Sequence, residues 1–223
     1  SRLLRCCAAF DDDAQLIKET HRWLDNFVIR HNLCPFAAPV RQHTRTVVCH
    51  DANAEEFIAK EVALLRSIEE SQPATTLIVV PEFVEFADLM ELQEVAGMRV
   101  NSDENDAEIH VLSFHPRAQF SDTDEDVYET SAELESLQDA ADLSMRSPHP
   151  MVHLLRQSDV HAAEVHWTEK PGVQTPSGIQ ERNAAYLRGL GWEAASAAAE
   201  QAVKGNQAAK REKEMARASA ASP

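Results

Sequence analysis

The chain is short of cysteine, basic residues and long apolar runs, and each shortage removes a class of protein. Its 223 residues hold four cysteines, Cys6, Cys7, Cys34 and Cys49. None forms a CxxC pair, and adjacent Cys6 and Cys7 make a poor structural zinc pattern. The count is low for a disulfide scaffold, so a reducing compartment is expected. Lys and Arg total 21 against 37 acids, a net charge of −16. That field repels a phosphate backbone, so no nucleic-acid partner is expected. No apolar stretch approaches the ~20 residues of a membrane helix, so no transmembrane segment is expected.

Hydrophobic residues make up 43% of the chain, enough for a sizeable core. The length suits one domain with extensions. Three regions are expected: a leader remnant over 1–10, an α/β core over 11–192 with an acidic insertion at 121–145, and an alanine-rich extension over 193–223. The leader, Ser1-Arg2-Leu3-Leu4-Arg5, carries two arginines and no acid, as the end of an organelle-targeting segment does.

Helical spacing of Leu16, Thr20, Trp23, Leu24, Phe27 and His31 predicts a helix from about Asp11 to Asn32. Pro35 restrains Cys34 to extended geometry, so the helix ends near Leu33. Thr44 to His50, Thr75 to Val80 and Ile109 to Phe114 read as strands, the second buried on both faces. Helices are expected at about 54–70, 83–96 and 179–190. In the first of these, Glu61 interrupts an otherwise apolar stripe. The alternation predicts an α/β fold: a small, three-stranded, mainly parallel sheet with flanking helices, plus an extended alanine-rich C-terminal helix or tail. An antiparallel, ferredoxin-like arrangement is the alternative.

The stretch from Arg146 to Arg156 holds two arginines, two histidines and two prolines. Ser147 as N-cap and Pro148 in the first turn predict a helix from Pro148 to about Val165. It would align His149, His153 and Arg156 on one face and offer its N-terminus to an anion. The acidic run reads as a solvated insertion. The extension after Glu193 lacks an apolar stripe. It would need another surface to lean on, which points to a partner.

Several motifs occur in order: Asn32-Leu33-Cys34-Pro35-Phe36-Ala37, Ser113-Phe114-His115-Pro116, Gln119-Phe120, Arg146-Ser147-Pro148 with Pro150, His153-Leu154-Leu155-Arg156, and Glu181-Arg182-Asn183. Over about residues 20–191 the chain resembles the domain of unknown function family numbered 1415, small soluble proteins of bacteria and some eukaryotic organelles. The resemblance implies no established reaction. It also implies an aromatic residue where His149 stands, which counts against a His149–His153 metal pair.

The candidate catalytic residues are Cys34, His115 and His153, since an imidazole beside a thiol can hold a nucleophilic thiolate. Arg146, Ser147 and Arg156 are the candidate anion-binding residues. Arginines crowding the same cleft would repel a cation, so no metal is expected, and no cofactor either. The first functional expectation is a non-catalytic accessory subunit of a larger mitochondrial assembly. It would meet other protein subunits through residues 193–223 and 121–145. The alternative is a thiol- or histidine-dependent enzyme, or a binding module, acting on a small carboxylate or phosphate. A cytoplasmic location is the alternative to the mitochondrion.

Overall fold

A computed structural model of the chain describes residues 2–103, 108–119, 139–168 and 178–204. Most of the acidic insertion (121–138), the loop 169–177 and the end of the alanine-rich extension (205–223) lie outside the described residues. Helix α1 spans Arg2–Trp23 and continues as a π-helix over Leu24–Ile29. A short α2 (Ala37–Val40) leads into strand β1 (Thr44–Val48). Next come α3 (Ala54–Arg66), β2 (Thr75–Val79), α4 (Phe86–Val100) and β3 (Ile109–Phe114). A 3₁₀ turn at Ala140–Ser144 precedes β4 (Met151–Arg156). The chain then forms α5 (Gln157–Thr168), α6 (Ile179–Leu190) and α7 (Trp192–Lys204).

The three expected strands are present, and a fourth joins them. The sheet order is β1-β2-β4-β3, with β1 and β2 parallel and β4 antiparallel to both neighbours. The fold is therefore α/β with a four-stranded mixed sheet, not a three-stranded, mainly parallel one. β1, β2 and β3 still share a direction, and β4 fills the gap between β2 and β3.

The fourth strand is the stretch expected to be a helix. Pro148 and Pro150 push Ser147 and His149 towards extended geometry, which outweighs the helix-start pattern. Ser147 caps no helix; its hydroxyl donates to the His149 carbonyl at 2.6 Å. Alternation along β4 sends Met151, His153 and Leu155 to one face and Val152, Leu154 and Arg156 to the other. His153 and Arg156, expected side by side, lie on opposite sides of the sheet.

Each face has its own core. α3 and α4 present Ile58, Val62, Leu65, Leu89, Leu92 and Ala96 at helical spacing to Ile78, Val111, Val152 and Leu154. Glu61 interrupts that stripe because Arg45 of β1 reaches it, with Nε and Nη2 donating at 2.8 and 3.1 Å. On the other face, Trp23, Leu24, Phe27 and Val28 pack with Leu77, Leu143, Met151 and Leu187. α7 joins this second core through Ala195 and Ala202, with Trp192, Ala198, Ala199 and Val203 beside them. Small side chains let α7 lie close on α1, so this helix has a surface of its own chain to lean on. α4, expected to end at about residue 96, runs on through Gly97 to Val100.

Arg156 ties the α3 side together. Arg156 is 2% exposed. Nε donates to Asp159 Oδ2 at 2.6 Å, and Nη1 to the Ile68 carbonyl at 2.9 Å. Nη2 donates to the Gln72 carbonyl. A cation here satisfies carbonyls that follow the C-terminus of α3. Arg156→Ala leaves Asp159 without its buried partner. A loss of about 3–5 kcal/mol is expected, read as a lowered denaturation midpoint.

Candidate functional site

The helix-to-loop junction at Asn32 builds one wall of a cavity. Asn32 has φ 52°, the only positive φ among described non-glycine residues. Its N–H donates to the Ile29 carbonyl at 3.0 Å, and that of Leu33 to Val28 at 2.8 Å. These are the two bonds of a Schellman cap, which needs a left-handed residue where they cross. Asparagine takes that conformation more cheaply than most residues. The Arg182-Asn183 pair of α6 then clamps the capped loop. Asn183 Nδ2 donates to the Leu33 carbonyl at 2.7 Å, and Arg182 donates to the Asn32 carbonyl. Arg182 also donates to Asn183 Oδ1 at 2.7 Å, which fixes the amide's orientation.

Beneath this clamp is a cavity of about 260 Å³ on the α1 face of the sheet. Its floor is Thr44, Thr75, Leu77, His153, Leu155, Leu112 and Phe114. Leu77, His153 and Leu112 stand in register across β2, β4 and β3. The roof is Trp23, Leu24 and Val28 from α1 and its π-helical end, then Leu33, Cys34, Phe36, Ala37 and Val40. Leu143, Ser144 and Met145 of the 3₁₀ turn and Ile179, Gln180 and Asn183 of α6 close the sides. No aspartate, glutamate, lysine or arginine is among the lining residues. A π-helical segment widens the backbone turn and is frequent at functional sites.

Of the six candidate site residues, Cys34 and His153 border this cavity, and the others do not. His115 lies on the opposite side of the sheet, 1% exposed. Its Nε2–H is shared by the carbonyls of Phe83 (3.2 Å) and Val84 (3.1 Å), and its Nδ1 accepts from the Arg117 N–H at 3.0 Å. Both ring nitrogens are thus committed, Nε2 to the loop before α4 and Nδ1 to the turn after β3. Arg146 donates to Asp142 at 2.9 Å and to the Ala118 carbonyl at 2.8 Å, with Trp192 stacked 5.3 Å away. Arg156 is spent on the α3 side, and Ser147 on its own turn. His149 turns to Glu19 of α1 at 2.9 Å. The anion clamp expected of Arg146, Ser147 and Arg156 is not assembled, because strand alternation and separate ion pairs part them.

The cavity's two reactive side chains are uncharged. Both keep a little accessible surface where they border the cavity, yet protein surrounds them. Burial raises the Cys34 thiol above its ordinary range. Backbone hydrogen bonds from Phe36 and Ala37 and the charge of Arg182 pull weakly the other way. The cation acting on Cys34 is thus Arg182, and no imidazolium holds it as a thiolate. Burial lowers His153 to about 4. Its Nε2 meets Thr75 Oγ1 at 2.7 Å. Thr75 is a site residue beyond the sequence candidates, and its signal is a threonine in a wholly buried central strand. Asn183 belongs to the Glu181-Arg182-Asn183 motif, and only the fold makes it a wall of the site.

A mixed α/β protein with an enclosed, uncharged pocket on one sheet face is the class that this fold and site define. Residues 15–197 match the family model described as protein of unknown function (DUF1415). The chain belongs to that family. No curated protein and no solved structure matches it.

Two outcomes follow from this geometry. Asn32→Gly should fold with a denaturation midpoint near the parent's, while Asn32→Val should cost roughly 1–2 kcal/mol. His153 stays neutral in the fold while the unfolded chain takes up its proton near 6.5. Stability should therefore fall as pH drops from about 6.5 towards 4, by up to about 3 kcal/mol from this residue. Comparing urea unfolding of the parent and His153→Leu at pH 7.5 and 4.5 isolates it: the variant should lose less stability on acidification.

Proposed function

We propose that this protein binds a small, uncharged, mainly apolar molecule in the cavity between the sheet and helices α1 and α6. The observation that carries the reading is the lining: about 260 Å³ of space bordered by residues of four linked motifs and by no charged side chain. Those motifs supply Cys34, Phe114, His153 and Asn183. Ligand pockets are concave and mostly apolar, with a few polar groups that orient the guest. The space exceeds the ~150 Å³ apolar cavity that takes up benzene. An ionised carboxylate or phosphate would lose its hydration there with no countercharge to replace it. The ligand class is therefore neutral, and the anionic ligands expected from the arginines are disfavoured.

The accessory-subunit reading drew on the leader, the acidic insertion and a C-terminal extension without a surface of its own to pack on. α7 packs on α1, so residues 192–204 no longer argue for a partner.

Thermal unfolding with a panel of neutral aromatic and aliphatic fragments tests the proposal. A binder at a hundred times its Kd should stabilise by about 2.7 kcal/mol, roughly 5–10 °C for a domain of this size. Leu112 lines the cavity and is 40% exposed, so it sits where the space meets solvent. Leu112→Trp should abolish the shift while leaving the unliganded protein folded. Stabilisation by carboxylates or phosphates alone would overturn the reading.

A further inference from the structure

Most of the cavity's buried polar side chains are spent within the chain. The Thr44 hydroxyl donates to the Val40 carbonyl at 3.1 Å, and that of Ser144 to Ala141 at 2.7 Å. Asn183 uses its amide N–H on Leu33 and its oxygen on Arg182. Thr75 is the informative case. Its Oγ1 lies 2.8 Å from the Leu154 carbonyl and 2.7 Å from His153 Nε2. A carbonyl only accepts, so the single hydroxyl proton must point to Leu154. Both contacts are hydrogen bonds only if Nε2 carries a proton and donates to Oγ1. The reverse tautomer would set two acceptors against each other.

With the proton on Nε2, Nδ1 of the neutral ring carries a bare lone pair. Nδ1 has no hydrogen-bond partner among the described residues. It is also not among their sealed, unpartnered polar atoms, which are Thr20 Oγ1 and Ser113 Oγ. It therefore touches open space, and the open space that His153 borders is this cavity. A strong acceptor held in an apolar enclosure favours a guest that brings a donor and penalises one that does not.

We infer that His153 Nδ1 selects the ligand: an uncharged apolar molecule that presents one O–H or N–H donor, as a phenol does and its methyl ether does not. This rests on the cavity being a binding site. His153 is the specificity-determining residue, and Thr75 is a positioning residue that sets which ring nitrogen faces the guest. Arginine-free walls admit the neutral phenol and not its anion.

The test uses the full chain and three probes of similar shape: toluene, p-cresol and 4-methylanisole. Calorimetric titration should give p-cresol at least about tenfold tighter binding than 4-methylanisole. His153→Leu should erase that preference and retain or improve toluene binding. The long-range 15N–1H spectrum of the unliganded imidazole should show Nε2 protonated and Nδ1 bare. On adding p-cresol, the Nδ1 resonance should move. Equal affinity for p-cresol and 4-methylanisole, with toluene also bound, overturns the donor requirement and leaves the pocket standing. Protonation on Nδ1 overturns it as well. Failure of all three probes to bind removes the pocket and this inference together.

Discussion

The strict alternation of side chains along β4 is the constraint on which the rest of this structure depends. A strand between two antiparallel neighbours cannot rotate its residues independently. Met151, His153 and Leu155 are committed to the α1 face, while Val152, Leu154 and Arg156 are committed to the α3 face. A slip of one residue would turn the guanidinium towards the apolar face, drive the imidazole into the α3-side core, and leave the carbonyls after α3 without their cation. The pairing of Leu77 with His153 and of Val111 with Leu154 makes such a slip costly, because both cores would lose their apolar layers together.

The two sides of the sheet solve different problems. On the α3 side, buried charge is paired: Arg156 with Asp159 and the carbonyls after α3, and Glu61 with the exposed Arg45. A buried ion pair is tolerable when its remaining hydrogen-bonding capacity is filled, as it is at Arg156. On the α1 side, space rather than charge is enclosed. The lining is mostly apolar, most of its polar groups are bonded to the chain itself, and a charge there would find no partner. This division explains why a cysteine and a histidine can border one cavity without forming an ion pair.

The clamp between Asn32-Leu33 and Arg182-Asn183 connects these local arrangements across 150 residues of sequence. It gives a physical reason for two motifs that the sequence presents as unrelated. The first ends a helix through a left-handed asparagine, and the second supplies the donors that satisfy the carbonyls so exposed. Cys34 and the cavity roof follow directly from that junction, and the adjoining π-helical turn shapes the same wall.

Much of the fold was legible from local patterns. β-branched runs marked β1 and β2, the span of β3 matched residue for residue, and so did α6. These elements carry their own signals, because propensity and periodicity act within a few residues. β4 was not legible in that way. Met151-Val152-His153-Leu154-Leu155-Arg156 satisfies a helical spacing as well as an alternating one, and its identity comes from the backbone partners on either side. The sequence alone determined which residues are chemically capable, Cys34 and His153 among them. Only the tertiary structure decided that His115, Arg146 and Arg156 are spent elsewhere. Which carbonyls and carboxylates surround a side chain depends on contacts between residues far apart in the chain, and no local pattern encodes them.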